Sequence, residues 1–135
     1  MYTELMIYEV FNQPKKLETA LLDRAVSFAA NYLQIDVDLI VEFKRLKQCQ
    51  FGFCDYDDEV TLTISKSLST SDLIRTLFHE MVHVSQYFHG RLEQGSPQLW
   101  YGVAVDDDYE NLPWEIEAFD LEQKMMDAFQ HPNNC

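Results

Sequence analysis

The spacing of apolar and polar residues along the chain predicts three helices and three strands. Two helices are predicted where apolar residues recur at helical spacing, in residues 14–32 and 73–88, and a third begins after Asn111 and continues to Phe129. The predicted strands are residues 39–46, 50–54 and 59–65. The last strand alternates cleanly, and the aspartate-rich residues 55–58 before it predict a hairpin connection.

This order of elements predicts an α+β fold. A helix comes first, three strands follow, and two helices close the chain, so we expect a small, mostly antiparallel three-stranded sheet covered by helices. The chain has 135 residues, of which 47% are hydrophobic. That length suits one hydrophobic core and is short for two, so we expect a single domain over residues 1–135.

The pattern HExxH occupies residues 79–83, inside the second predicted helix. Residues four apart fall on the same face of an α-helix, so His79 and His83 can offer ring nitrogens to one metal ion while Glu80 flanks the open position. The neighbouring residues are bulky and apolar, which predicts that both histidines are largely buried and need polar partners. The pattern therefore predicts the first half of a zinc hydrolase site rather than two surface histidines.

His89 is one candidate for the third ligand that a catalytic zinc normally requires. It stands where the metzincin pattern HExxHxxGxxH places its third histidine, but Gln86 occupies the position of the glycine that allows the chain to turn sharply. Gly90 is predicted to end the helix just beyond this point. His89 is then a residue of the last helical turn and points away from the other two histidines.

Two glutamates, Glu115 and Glu117, lie in the first turn of the last predicted helix and are better candidates. Acidic residues are also favourable at a helix N-terminus without any metal, so composition alone does not decide their role. With HExxHxxQ at residues 79–86 and PxExEA at residues 113–118, however, the chain resembles the gluzincin zinc metallopeptidases. The closest resemblance is to the small zincin domains of phages and bacteria, which include the minigluzincin and SprT-like proteins.

The resemblance implies a fold and a set of metal ligands. Relatives of thermolysin usually have a small residue three places after the ligating glutamate, and Ala118 stands in that relation to Glu115. The resemblance therefore implies a zincin-like domain that holds Zn²⁺ with His79, His83 and Glu115, with Glu117 as the alternative third ligand. Those relatives tend to have Asp or Asn at the next position, where this chain has Phe119. The hydrogen-bond partner of a ligating histidine is then left to Asp120 or Glu117.

The same resemblance implies a zinc metalloendopeptidase that hydrolyses peptide bonds, with a zinc-activated water and Glu80 as the general base. Two other classes of protein remain open: a catalytically silent zincin-fold binding module, and a phage-encoded inhibitor of a host protein. Because a structural metal site needs no general base, the presence of Glu80 favours the enzyme.

Two further expectations concern the substrate. In zincins the edge strand beside the active helix receives the substrate as an added strand, and residues 59–65 are the expected edge. A tyrosine or histidine stabilises the developing oxyanion in such relatives, so the resemblance implies that Tyr101 or Tyr109 donates a hydrogen bond to it here.

Charge and cysteine usage limit the partners and the compartment. The net charge is -13, and Lys44, Arg45 and Lys47 form the one cluster of basic residues, so we expect a protein or peptide substrate and no direct nucleic-acid binding. That charge argues against a role copied from the DNA-associated SprT-like proteases. Three cysteines make an odd count that suits a reducing compartment. No signal peptide or membrane-spanning run is evident, so we expect a cytoplasmic protein without membrane contact.

Overall fold

The computed structural model of the protein describes residues 7–130. Within them it has an α+β architecture, which confirms the predicted fold class. The helices are α1 (Thr19–Leu33), α2 (Thr70–Phe88) and α3 (Pro113–Gln130). The strands of the larger sheet are β1 (Tyr8–Phe11), β2 (Leu39–Lys44), β3 (Gly52–Tyr56) and β4 (Val60–Ser65).

The larger sheet is mixed, with the strand order β1-β2-β4-β3. β1, β2 and β4 are parallel neighbours, and β3 runs antiparallel to β4 as its hairpin partner. The prediction of three mostly antiparallel strands was therefore wrong in the number of strands and in their direction. Parallel neighbours need a long crossover, and α1 supplies it between β1 and β2. The predicted hairpin connection is confirmed, because a turn at residues 57–59 joins β3 to β4.

The core lies between the larger sheet and the three helices. α2 packs against α1, α3, β3 and β4, so it is the central element of the fold. One phenylalanine from each helix meets in an aromatic cluster: the ring of Phe28 lies 5.6 Å from that of Phe78 and 5.3 Å from that of Phe129. These contacts hold the C-terminal end of α3 against α1 and α2. The first turn of α3, at its other end, lies beside the HExxH residues.

The segment between α2 and α3 forms a second, smaller sheet that the sequence pattern does not predict. Its antiparallel strands are β5 (Leu92–Glu93), β6 (Leu99–Trp100) and β7 (Val103–Ala104). A short 3-10 helix, Tyr109–Asn111, then leads directly into α3. No helix among residues 7–130 combines the length and the apolar character needed to cross a membrane.

Candidate metal centre

Three side chains from two helices converge in the interior beside α2. His79 and His83 lie one turn apart on α2, and Glu115 comes from the first turn of α3. Nε2 of His79 lies 3.1 Å from Oε1 of Glu115, and Nε2 of His83 lies 3.2 Å from Oε2 of the same carboxylate. All three residues are buried, and one ligand atom from each lies within 4.8 Å of the others.

These distances fit a bound metal ion. Zinc has ligands about 2.0–2.1 Å away in a tetrahedral arrangement, which separates neighbouring ligand atoms by about 3.3 Å. The separations of 3.1 and 3.2 Å, one to each oxygen of Glu115, are close to that value. The structure therefore contains a buried His-His-Glu group that could bind a metal.

Local sequence signals explain where α2 begins and ends. The Ser69 hydroxyl accepts a hydrogen bond from the backbone N–H of Asp72, as an N-cap serine does. At the other end Gly90 adopts a positive φ of 78°, and the N–H groups of Gly90 and Arg91 donate to the carbonyls of Tyr87 and Gln86. This pair of bonds is the Schellman termination that glycine favours.

We call His79, His83 and Glu115 the metal group. Because α2 continues to Phe88, His89 lies outside this group. Its Nε2 is 3.0 Å from the carbonyl oxygen of Leu33, the last residue of α1. His89 is therefore placed to satisfy a carbonyl at the end of a helix, where an orphan acceptor needs a partner.

Glu117 also lies apart from the histidines. Its carboxylate accepts hydrogen bonds from the Gln86 side-chain amide and from the Arg91 guanidinium. Glu115 and Glu117 are two residues apart on α3, which turns their side chains through about 200° relative to each other. The glutamate that the structure brings to the histidines is therefore Glu115.

Both imidazole rings are held by their second nitrogen. Nδ1–H of His79 donates to Oε1 of Glu122 at 2.7 Å, and Nδ1–H of His83 donates to Oε1 of Gln86 at 2.8 Å. The Gln86 amide is oriented because its NH₂ group donates to the carbonyl of Trp114 and to Glu117, which can only accept. With a proton fixed on each Nδ1, both Nε2 atoms turn toward Glu115 as acceptors for a metal.

This arrangement corrects the expected partner of the ligating histidine. Neither Asp120 nor Glu117 reaches an imidazole: Asp120 forms an exposed ion pair with Lys124 on the same helix. Glu122 takes the role because it follows Glu115 by seven residues, which is about two helical turns. Phe119, one turn after Glu115, packs its ring 4.7 Å from the ring of His79 instead.

Hydrogen bonding determines the charge of this group in the metal-free protein. Burial by itself would lower the pKa of His79, but hydrogen bonds with Glu115 and Glu122 outweigh burial and raise the pKa to about 9. Burial would raise the pKa of Glu115, yet its hydrogen bonds with His79 and His83 lower that pKa to about 2. Near neutral pH the group is therefore a carboxylate beside a protonated imidazole.

Glu80 lies beside the histidines and lines the cavity over them. Burial raises the pKa of its carboxyl group, and the positive histidines His83 and His79 partly oppose that shift. Among the described residues no donor is bonded to the Glu80 carboxylate, whereas every other carboxylate near the imidazoles is engaged. A general base needs this free oxygen, within reach of the proton that it accepts.

The metal group opens into a cavity of about 710 Å³. Its walls come from residues 49–54 at and before β3 on one side and from α3 and the 3-10 helix on the other. The prediction that residues 59–65 form the substrate-receiving edge is wrong, because β4 is paired on both sides, with β2 and with β3. The exposed edge beside the cavity is β3, which has β4 as its neighbour on one side alone.

The two candidate tyrosines have different positions. Tyr109 lines the cavity, and its hydroxyl donates to Oε1 of Glu115 at 3.1 Å. Burial, together with the nearby Glu115 carboxylate, raises the pKa of Tyr109, so its hydroxyl keeps the proton that a donor requires. Tyr101 is exposed at the β6–β7 turn and is not among the residues that line the cavity.

A thiol also lines the cavity. Cys54 on β3 is a free cysteine, and burial, followed by the nearby charge of Glu80, raises its pKa. A metal binds the thiolate rather than the thiol, so this environment disfavours Cys54 as a ligand.

Comparisons with protein-family models, with curated proteins and with solved structures find no match to this chain. Its function has to be inferred from the side chains at the candidate metal centre and from the cavity above them.

Metal binding is expected to release protons between pH 6.5 and 9. The raised pKa of His79 means that its favourable contribution to the metal-free fold is complete below about pH 6.5 and is lost as the pH rises through about 9. A metal must displace that proton, so its apparent affinity should rise with pH across the same range. Calorimetric zinc titrations in two buffers of different ionisation enthalpy would count the protons. An affinity that stays constant between pH 6.5 and 9 would contradict this account.

Glu122 is expected to strengthen metal binding through His79. Glu122→Ala removes the acceptor of the Nδ1–H group, and losses of this kind weaken metal affinity about 10- to 100-fold. Gln123→Ala is the matched control, because Gln123 accepts from Arg75, as Glu122 does, but does not contact His79. Competition with a fluorescent zinc chelator measures both affinities. Equal zinc affinities for the two variants would show that Glu122 does not contribute to metal binding.

Proposed function

We propose that this protein is a zinc-dependent metalloendopeptidase of the zincin type. In this proposal His79, His83 and Glu115 hold Zn²⁺, and Glu80 is the general base. The observation that carries the proposal is the convergence of the three ligand side chains beside the buried carboxylate of Glu80, which accepts no hydrogen bond from the described residues. A mixed sheet with an antiparallel edge strand next to the HExxH helix, followed by a glutamate-bearing helix, supports the zincin-type fold.

The side chains have separate roles in hydrolysis. Zinc, when bound, lowers the pKa of a water towards ~7 and polarises the carbonyl of the scissile bond. Glu80 accepts the proton of the attacking water and delivers it to the leaving amine. Tyr109 lies at the cavity with its hydroxyl protonated, so it can donate to the oxygen that becomes negative. Glu122 and Gln86 hold the imidazoles in the orientation that the chemistry requires.

The charges that line the cavity favour cleavage within a chain over removal of a terminal residue. A carboxypeptidase needs a free cation for the terminal carboxylate of its substrate. Among the described residues that line the cavity, Arg75 is the one lysine or arginine, and its guanidinium already donates to Glu122 and Gln123. An aminopeptidase needs a spare carboxylate for the terminal amine. The three glutamates that line this cavity already have roles: Glu115 is a metal ligand, Glu80 is the general base and Glu122 bonds to His79.

The buried Glu80 carboxylate, which has no hydrogen-bond partner among the described residues, also helps to distinguish an enzyme from a binding module or an inhibitor. A metal that only stabilises the fold needs its ligands and their hydrogen-bond partners, and it gains nothing from a further buried carboxylate. Burial of a carboxylate is costly unless the group has a partner or a function. The unbonded Glu80 therefore supports the enzyme more than it supports a module that merely recognises another protein.

Loss and restoration of hydrolysis tests the proposal. Purified protein is stripped with a chelator, dialysed, and assayed on a denatured protein substrate such as casein before and after one equivalent of zinc is added. We expect fragments to appear with zinc alone and to disappear again with excess chelator. Zinc binding at one ion per chain without any fragments, over a range of denatured substrates, would favour the binding module instead.

A further inference from the structure

We infer that the cleft selects polypeptide segments with large apolar side chains on both sides of the scissile bond and rejects acidic ones. This inference rests on the proposed function and names its substrate class. It comes from the residues at the mouth of the cavity, none of which is a proposed metal ligand or the general base.

Aromatic side chains surround the cavity mouth from both walls. Phe51 and Phe53 lie at and before β3, and Tyr109 and Phe119 lie on the 3-10 helix and α3. All four are among the exposed large apolar residues of the described chain. Large apolar surface is seldom left in water around a cleft unless something binds there, because its burial is the main source of binding free energy.

The walls stand on opposite sides of the metal group. α2 packs against both β3 and α3, so the histidines form the floor of a cleft between an exposed strand edge and a helix. An extended segment lying over this floor would place successive side chains toward alternate walls, because side chains alternate along an extended chain. The residues on either side of the bond above the metal group would then meet aromatic rings from both walls.

Among the described residues, the walls of the cleft offer no free cation to an acidic side chain. Three carboxylates line the cleft, from Glu80, Glu115 and Glu122, and the guanidinium of Arg75 is already paired. The whole chain carries a net charge of -13. A bound Zn²⁺ on the floor offsets two of these three negative charges, so the exclusion of acids depends on the walls. A substrate carboxylate turned toward the aromatic rings would lose water without gaining a cation, whereas an apolar side chain would gain contact area.

Binding, measured without cleavage, tests the inference. The zinc-loaded Glu80→Gln protein is titrated into fluorescent ten-residue peptides with blocked ends, which differ only in the two central residues: Phe-Phe, Ser-Ser or Asp-Asp. We expect the Phe-Phe peptide to bind about tenfold or more tightly than Ser-Ser, since each buried ring contributes apolar area. The Asp-Asp peptide should bind most weakly. Equal binding of Phe-Phe and Ser-Ser would overturn the inference.

Matched variants locate the contact. Phe119→Ser removes a rim residue that is 52% exposed, and Ile116→Ser removes a side chain 55% exposed on the same helix that does not line the cavity. We expect Phe119→Ser to weaken Phe-Phe binding severalfold and Ile116→Ser to leave it unchanged. Because Phe119 also touches His79, Phe51→Ser on the other wall is the independent variant. Equal effects of Phe119→Ser and Ile116→Ser, with no effect of Phe51→Ser, would contradict the inference.

A charge substitution tests the exclusion of acids separately. Phe51→Lys places an unpaired cation at the rim, so it should strengthen Asp-Asp binding while it weakens Phe-Phe binding. No gain for Asp-Asp would contradict the electrostatic half of the inference.

If the wild type digests casein with zinc but shows no preference among the peptides, the inference fails and the proposed function stands. If the protein binds the Phe-Phe peptide selectively but shows no zinc-dependent hydrolysis, the proposed function fails and the selectivity of the cleft stands.

Discussion

Glu80→Gln is expected to abolish hydrolysis while one zinc per chain remains bound. Glutamine keeps the shape of the side chain but cannot accept a proton from the attacking water. General acid-base catalysis typically contributes about 10²- to 10⁴-fold, so the rate should fall by at least that range. Turnover of a quenched fluorescent peptide, measured beside the zinc content of the same sample, checks both halves of the prediction.

The control for this substitution is Glu93→Gln, which makes the same chemical change at the exposed residue of β5, which does not line the cavity. It should keep full activity. A Glu80→Gln protein that retains more than about a tenth of wild-type activity would show that another group takes the proton. Loss of zinc together with activity would instead mean that Glu80 helps to hold the metal.

Glu115→Ala is expected to remove zinc or to weaken its binding by far more than tenfold, because two imidazoles remain where a catalytic zinc takes three protein ligands. Glu117→Ala and His89→Ala should retain one zinc per chain. The structure places Glu117 against Gln86 and Arg91, and it places His89 against the carbonyl of Leu33. Zinc content after dialysis against a weak chelator distinguishes the three variants.

Other patterns of zinc retention among these three variants would identify a different third ligand. Zinc loss in His89→Ala with retention in Glu115→Ala would require the chain to turn after Gln86, as it does in metzincins. Loss in Glu117→Ala alone would mean that the third ligand is the neighbouring glutamate. Because Glu117 orients Gln86, a small weakening in Glu117→Ala, well below that of Glu115→Ala, is compatible with the proposed set.

The sequence pattern predicted the parts of the site that depend on local geometry. His79 and His83 share a face because any α-helix aligns residues four apart, and Ser69 and Gly90 mark the ends of that helix through their own backbone preferences. The choice of Glu115 over Glu117 came from the resemblance to the gluzincins, in which a small residue follows the ligating glutamate by three places. Ala118 is that residue, and it is buried where α3 packs against α2.

The hydrogen-bond partner of His79 depends on how two helices cross, which no local pattern determines. Glu122 reaches His79 only because α3 lies along α2 for two turns beyond Glu115. A spacing of seven residues from Glu115 was a signal that could have suggested it. No contact between Gln86 and an imidazole was predicted from the sequence, although its position three residues after His83 places it within reach of that ring.

Strand order was the largest error in the fold. β1 has four residues, too few for alternation to stand out, and its parallel pairing with β2 joins distant parts of the sequence. Inserting β1 and pairing β2 with β4 moved β4 into the interior of the sheet and left β3 at the edge. The clean alternation of residues 59–65 therefore indicated a strand correctly but carried no information about its neighbours.

X-ray absorption at the zinc edge, on protein loaded with one equivalent of zinc, identifies the atoms that bind the metal. We expect two nitrogen ligands at about 2.0–2.1 Å and oxygen ligands at about 2.0–2.2 Å, from Glu115 and a solvent molecule, with no sulfur. Cys54 lines the same cavity and makes sulfur the informative alternative. A sulfur scatterer at about 2.3 Å, or a zinc that binds without imidazole, would contradict the proposed metal centre.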